Sequence, residues 1–338
     1  MEAIQTRTRG YLPSIQKGAC LSSIQLTLDA PILHHHVGKV RDVYHLENVV
    51  LLLTTDRQSA FDRYLADIPY KGQVLNLTAA WWFEKTKHII PNHVVAVPNA
   101  VTLIGRKCTI FPIEFVVRGY ITGSTNTSMW THYEKGVRKY CGHVLPDGYV
   151  KNQRLPTTLV TPTTKNDVHD ELISGDDIVK QAIMTREEYD YCATKALEVF
   201  AFGQQEAATR GLLLVDTKYE FGRASDGTIL LVDEMHTPDS SRYWLSESYP
   251  SRMESGENPE NIDKEFLRLW FKEKCDPYSD ATLPQAPEEL VHELSRRYIL
   301  LYEAITGKQF TFSAETEMTE DFLNSSINEA LATLKNTL

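Results

Sequence analysis

No apolar run in the 338 residues approaches the roughly 18 that a membrane-crossing helix needs, and no secretory hydrophobic stretch follows the start. A soluble, cytoplasmic protein is expected. Residues 1–28 carry Arg7, Arg9 and Lys17 against the single acid Glu2, which leaves organelle import as the alternative. Cysteine is scarce: Cys20, Cys108, Cys141, Cys192 and Cys275 are odd in number, scattered and without a CxxC pair. That suggests neither a disulfide framework nor a zinc site, and free thiols in a reducing compartment are expected. Positive charge is in deficit, 35 basic against 45 acidic residues for a net −10, so nucleic acid and anionic membrane are not expected as partners. Any anionic ligand must therefore meet a local basic cluster. Walker GxxxxGK[ST] and GxGxxG loops are both missing, as are internal repeats and low-complexity blocks.

Two acidic strand-like runs stand out, "LLLVDTKYEFG" at 212–222 and "ILLVDEMHTPDSSRYW" at 229–244, around the turn Ser225-Asp226-Gly227. Strand alternation puts Asp216, Lys218 and Glu220 on one side, and Leu213, Val215, Thr217, Tyr219 and Phe221 on the other. On the second strand Asp233 and Glu234 point opposite ways. A register with Lys218 opposite Asp233 brings Asp233 beside Lys218 and Glu220; a one-residue slip turns it away, and the sequence leaves the register open. Carboxylates on neighbouring strands suit Mg²⁺, which keeps several waters and takes its other oxygens from substrate phosphates. The competing reading is a surface hairpin laced by salt bridges.

The remaining pattern is β-type runs at 49–56 and 109–120, helical stretches at 74–86, 263–275 and 287–307, and two helices in 176–211 parted near Met184-Thr185. Thr185 with Glu188 predicts a capping box. The chain beyond 310 reads as polar and peripheral. His34-His35-His36 reads as a solvated linker, since consecutive side chains do not converge on one metal ion. In "GKVRDVY" (38–44), the glycine permits close backbone approach to an anion, and Lys39 and Arg41 alternate onto one strand face, which makes a phosphate-holding ribbon.

With "GKVRDVY", the strings "TTDRQSAFD" (54–62), "IPYKGQVLN" (68–76), "VVRGYITGS" (116–124), "TPTTKNDVHDE" (161–171), "DTKYEFG" (216–222) and "VDEMHTPDSSRYW" (232–244) occur in one order over roughly 38–305. The set resembles the phosphoribosylaminoimidazole-succinocarboxamide synthases, the SAICAR synthetases of purine biosynthesis. The resemblance implies an α+β fold of two lobes, with a small antiparallel-sheet N-terminal lobe and a larger α/β C-terminal lobe, and ATP in the cleft. The boundaries expected are an extension over 1–37, the ATP-binding lobe over 38–115, the larger lobe with metal and substrate sites over 116–310, and a tail over 311–338. It implies ATP-dependent joining of L-aspartate to 5-aminoimidazole-4-carboxyribonucleotide, with Mg²⁺ as cofactor and an acyl-phosphate as intermediate, by a monomer or homodimer.

Carried over by position, the resemblance places Lys39, Arg41 and Lys165 near the ATP phosphates and Glu114 in the linker beside adenine. Glu220 and Asp233 become the magnesium carboxylates, and Lys218 reaches the phosphoryl group or the ribonucleotide carboxylate; the plain alternative is a bridge from Lys218 to Asp216 and Glu220. Arg118, Ser124 and Arg242 correspond to the groups gripping the ribonucleotide 5′-phosphate, with Ser241 beside them. Asp56 corresponds to a contact to the aminoimidazole end, against the alternative of a cap for the following turn. His169 and Asp170 fall near L-aspartate. Two departures stand out: "TNTSM" intervenes between Ser124 and Trp130, and His236 replaces a common aliphatic residue. A small-molecule kinase and a non-catalytic nucleotide-binding module are the competing functions.

Overall fold

The computed structural model describes residues 1–165, 171–262 and 264–334, which divide into two compact units. One comprises Met1–Phe83, His93–Lys107 and Ile262–Leu338; the other comprises Glu84–Asn92 and Cys108–Asn261.

The first unit is built on strands β1 (His34–Val37), β2 (Arg41–His45), β3 (Val49–Thr54), β6 (Val94–Asn99) and β7 (Thr102–Arg106), in antiparallel order β1-β2-β3-β7-β6. A separate hairpin joins β4 (Arg57–Ala60) to β5 (Arg63–Asp67). The continuous apolar run of β3 makes it the central strand, with Leu51 and Leu53 fully buried. Helices Lys71–Thr86, Glu265–Lys274 and Glu288–Thr306 share a core of Val74, Leu75, Leu267, Phe271, Leu294 and Ile299. The last of these helices ends on Gly307 in the left-handed region, φ 71°, whose N–H reaches the Glu303 carbonyl.

Several expectations change here. The trihistidine segment is not a linker but the exposed edge strand β1, paired to β2. The division falls between Lys107 and Cys108, because the expected boundary at 115 would cut the single strand Cys108–Tyr120. Residues 262–310 group with the first unit and not with 116–261. Both termini are integral to it. Helices Glu2–Arg9 and Leu12–Lys17 bury Thr8 and Ile15, and Arg7 and Tyr11 bond the fully buried Glu303 carboxylate, Arg7 Nε at 2.8 Å and the Tyr11 hydroxyl at 2.9 Å. The tail is not peripheral, since helix Glu320–Leu334 inserts Leu323, Ile327 and Leu331 beside Leu21, Leu26, Tyr44 and Ile104. Their spacing of four residues makes one stripe, diluted by polar neighbours on the other faces. Ile327→Ala is expected to lower stability by about 2–5 kcal/mol in urea unfolding, as for other buried aliphatic truncations; a solvated tail would give no change.

The second unit contains β8 (Cys108–Tyr120), β9 (Lys139–Tyr140), β10 (His143–Val144), β11 (Arg154–Val160), β12 (Thr163–Thr164), β13 (Glu171–Leu172), β14 (Leu212–Ala224), β15 (Ile229–Val232) and β16 (Ser241–Leu245). Its large sheet runs β13-β12-β8-β14-β15; β11 also pairs with β8, and β16 with β14. All these pairings are antiparallel, as an α+β class requires. Helix Arg186–Ala208 starts on the expected capping box, with Thr185 and Glu188 bonding each other's backbone N–H. Its apolar stripe, Cys192, Ala196, Val199 and Phe200, is buried. The long second run of the sequence is two strands: β15 and β16 lie in succession along β14, and residues 233–240 leave the sheet between them.

Candidate functional site

The central strand β14 presents Asp216, Lys218 and Glu220 on one face, as alternation predicts, and β8 completes that face because Arg118 lies opposite Asp216 and Glu114 opposite Glu220. Two carboxylates set directly across a ladder repel one another unless a cation intervenes. Lys218 is that cation: its Nζ lies 2.9 Å from Glu114 Oε1 and 2.6 Å from Glu220 Oε1, with Asp233 Oδ2 at 3.9 Å. Lys165 Nζ contacts Glu220 Oε2 at 2.6 Å, and Thr163 Oγ1 donates to Glu114 Oε2 at 3.2 Å. Burial alone would pull the Lys218 ammonium down, but Glu220, Glu114 and Asp233 outweigh it and hold its pKa well above the usual lysine value. Glu114, expected beside adenine, thus has its carboxylate in the Lys218 cluster.

Asp233 reaches this cluster by a route that strand alternation does not predict. The ladder sets Glu220 opposite Val232 and Phe221 opposite Leu231, a register in which continued pairing would turn Asp233 toward the Tyr219 side. The strand instead ends at Val232, and Asp233 adopts φ 64°, reversing the side chain onto the Lys218 face. Behind the sheet His236 is fully buried, its Nε2 hydrogen-bonded to the Tyr219 hydroxyl. Burial pushes its pKa down to about 3. Unfolded histidine takes a proton near pH 6.5, so this group's stabilising share is complete above that value and is lost progressively as pH falls toward 3. Denaturant titrations at stepped pH are expected to show a shallower acid-side loss of stability for His236→Gln than for the parent protein.

Further along the same face two arginines share one carboxylate. Asp216 Oδ2 receives Arg242 Nη1 at 2.5 Å and Arg118 Nη1 at 3.4 Å from the strands on either side. Arg118 is buried and also donates from Nε to Thr161 Oγ1 at 2.9 Å, and within 3.5 Å to Tyr140 Oη and the Thr127 carbonyl. Thr127 belongs to the "TNTSM" insert, so the insert is folded onto the guanidinium. Gly123, φ 107°, lets the backbone before Ser124 pass close to Arg242: an added Cβ would stand 3.3 Å from Nη2 and collide with Ser128. Ser124 is half-buried. Asp216 to Glu220 spans four residues, about 13 Å along the strand, so arginines and carboxylates occupy opposite ends of one face.

Two further expected residues make their contacts within the fold. Ser241 neighbours Arg242 on β16 and therefore faces the opposite side, where it is buried with its hydroxyl 2.7 Å from Thr217 Oγ1 and its N–H bonded to the Thr237 carbonyl. Asp56 is buried in the first unit, accepting the Leu21 and Gly72 N–H groups at 2.7 and 2.8 Å. It accepts from the first turn of helix Lys71–Thr86 and ties down the N-terminal segment, a long-range role and not the cap of the following turn that the sequence offered. Burial raises its pKa to about 6, with those two N–H groups opposing the rise.

In the first unit, Lys39 is not on a strand but in the three-residue connection Gly38-Lys39-Val40 between β1 and β2, where Gly38 N–H bonds the Arg41 carbonyl at 2.8 Å. A Cβ on Gly38 would lie 2.6 Å from that carbonyl oxygen, so the hairpin itself requires the glycine. Arg41 begins β2. Lys39 Nζ meets Asp62 Oδ1 at 2.5 Å, with side chains 59% and 51% exposed. An ion pair that open contributes little and yields readily to a phosphate. His169 and Asp170 lie outside the described residues.

Asp216, Tyr140, Thr161 and the Tyr219–His236 pair were not singled out from sequence for these contacts. Asp216 was discoverable, since it shares the charged face of β14; Thr161 opens the quoted string at 161–171, but neither it, in the connection between β11 and β12, nor Tyr140 on β9 has a local feature that points to Arg118.

A lysine ringed by carboxylates on a core strand, with arginines from the two flanking strands meeting one aspartate further along, is a charge arrangement suited to anionic reactants. The profile of SAICAR synthetase matches residues 34–285. The chain is 56% identical over 317 residues to the chloroplastic phosphoribosylaminoimidazole-succinocarboxamide synthase of Arabidopsis thaliana, covering 94% of this chain and 77% of that protein. Among solved structures, SAICAR synthase from Saccharomyces cerevisiae complexed with SAICAR aligns with a TM-score of 0.72 at 30% identity, over 86% of this chain and 100% of that one. A SAICAR synthetase in complex with ADP aligns with a TM-score of 0.62 at 26% identity, over 82% and 100%. The chain belongs to the SAICAR synthetase family, and it is an ATP-dependent ligase.

Proposed function

We propose that the chain joins L-aspartate to 5-aminoimidazole-4-carboxyribonucleotide at the expense of ATP, forming the succinocarboxamide, ADP and phosphate in purine biosynthesis. The observation that carries this reading is the single face of β14, with arginines for a ribonucleotide phosphate at one end and the Lys218 cluster for carboxylate and phosphoryl chemistry at the other. The likeness to proteins in complex with SAICAR and with ADP supports it.

A carboxylate does not condense with an amine unaided. In the proposed sequence the ribonucleotide carboxylate oxygen attacks the γ-phosphorus of ATP, the bond to the β-phosphate oxygen breaks, and ADP leaves. The amine of aspartate then attacks the acyl carbon, the C–O bond to phosphate breaks, and the amine loses a proton as phosphate departs. Lys218, a compact ammonium already among oxygens, follows the migrating negative charge. Arg118 and Arg242 fix the 5′-phosphate, and Arg242 exchanges part of its bond to Asp216 for the ligand. Lys39, Arg41 and Lys165 are assigned to the ATP phosphates. His169 and Asp170 remain assigned to L-aspartate by family position.

The donor set fits Mg²⁺. Glu220 and Asp233 offer hard oxygen ligands, and the ammonium groups of Lys218 and Lys165 already show that cationic charge is stable against Glu220. Among the described residues no three acidic, histidine or cysteine side chains form a ready-made cage, which suits an ion that takes one or two carboxylates and completes its shell with water and phosphate. When bound, Mg²⁺ would neutralise charge on the nucleotide phosphates.

Among the described residues no helix is long and apolar enough to cross a membrane, and none of the five cysteines is in a disulfide. We assign the protein to the cytoplasm, with import into an organelle as the alternative that the chloroplastic relative keeps open, and with a monomer or homodimer as the working unit. The deciding experiment is a coupled ADP assay. ADP release is expected only with ATP, L-aspartate and the carboxyribonucleotide together, and full turnover with either acceptor omitted rejects the assignment.

A further inference from the structure

The loop 233–240 leaves the sheet and returns to it while holding two non-glycine residues in the left-handed region, Asp233 at φ 64° and His236 at φ 53°. Such conformations persist only where surrounding contacts over-determine them. Here those contacts gather on His236. Its Nε2 is bonded to the Tyr219 hydroxyl, and its carbonyl receives the Tyr243 hydroxyl at 2.8 Å. The flanking residues Met235 and Thr237 are fully buried, and Thr237 donates to Glu234 Oε2 at 2.5 Å. Helix Arg186–Ala208 makes room for the imidazole: at Gly203 a Cβ would collide with His236 Cε1 and lie 2.8 Å from Nδ1. Glycine inside a helix is a cost that packing must justify, and the histidine ring is what it admits. Tyr219 stands between Lys218 and Glu220 on the same strand, pointing the other way. The tether therefore runs from the back of the catalytic strand to the loop that carries Asp233.

Resting on the assignment of Glu220 and Asp233 as the carboxylates for a divalent cation, we propose that His236 is a positioning residue: wedged against Gly203 and bonded to Tyr219, it holds the 233–236 turn so that Asp233 faces Lys218 and Glu220. The imidazole touches no reactant. Its effect passes through the backbone to a carboxylate three residues away, so losing it weakens the cation site more than it slows the chemistry once that site is filled.

The test uses the full chain with ADP and Mn²⁺ as the probe ion, reading free Mn²⁺ by its electron paramagnetic resonance signal. The variants are His236→Leu, Tyr219→Phe, Asp233→Asn and the double variant His236→Leu/Asp233→Asn. Both Tyr219→Phe and His236→Leu are expected to raise the Mn²⁺ Kd about tenfold. The double variant should bind no more weakly than Asp233→Asn alone, and turnover at saturating Mg²⁺ should fall less than threefold for Tyr219→Phe. Tyr219→Phe loses one oxygen and keeps the ring, so it gives the answer if His236→Leu does not fold. Wild-type Mn²⁺ affinity in Tyr219→Phe, beside weakened binding in Asp233→Asn, overturns the positioning role. Wild-type affinity in Asp233→Asn itself overturns the metal assignment and the inference with it.

Discussion

Lys218→Met is expected to reduce kcat by roughly 10²–10³, the scale seen when one preorganised group stabilising transition-state charge is removed. The substitution keeps most of the side-chain volume and deletes the ammonium that lies within 2.9 Å of both Glu114 and Glu220. Those carboxylates are 13% and 5% exposed, so stability should also fall, by about 3–5 kcal/mol on the scale for unpairing a buried ion pair. The two effects separate in Lys218→Met/Glu114→Gln, where one of the facing charges is neutralised. That double variant should regain much of the thermal stability and none of the turnover. Single-turnover ADP formation and a melting curve on both proteins provide the check. Near wild-type rates in Lys218→Met would remove the residue from the chemistry and leave it as a bridge between acids.

For Arg242→Met, the KM for the carboxyribonucleotide is expected to rise about 100-fold with kcat nearly unchanged. A charge-assisted hydrogen bond contributes about 1.5–3 kcal/mol, and each 1.4 kcal/mol is tenfold. An interaction with a remote phosphate is made equally in ground and transition states, so its loss appears in KM. The fold should tolerate the change, because Asp216 keeps Arg118 as its partner across β8. Asp216→Ala makes the useful contrast: it leaves two guanidinium groups without their shared counterion and should destabilise the unit far more than Arg242→Met. A KM for the ribonucleotide that stays put in Arg242→Met would dissociate this constellation from phosphate binding.

Much of this was legible before any coordinates because it depends on local periodicity. The capping box at Thr185, the helical stretch at 287–307 and the β-type run that becomes β3 all follow from side chains within a few residues of one another. What misled was equally local. The "GKVRDVY" string reads as a strand, yet Gly38, Lys39 and Val40 form its turn, since the glycine is needed for hairpin closure. Ser241 looks like part of a hydroxyl cluster with Arg242, but period two sends neighbours to opposite faces. The tail reads as polar because Leu323, Ile327 and Leu331 are spread over three turns; only a partner surface from the N-terminal segment and the first sheet turns that sparse stripe into core.

The order of the motifs, the family and the common face of Asp216, Lys218 and Glu220 were determined by the amino-acid sequence alone, since each rests on chain neighbours and a fixed repeat. Which groups meet that face was decided only by tertiary structure. Glu114 arrives from a strand about a hundred residues away in sequence, Arg118 and Arg242 converge on Asp216 from two different strands, and Asp233 is returned to the cluster by a left-handed turn held from behind by a buried histidine. Register, strand order and a single backbone reversal are properties of the assembled sheet, and no window of the chain short enough to be read by pattern contains them.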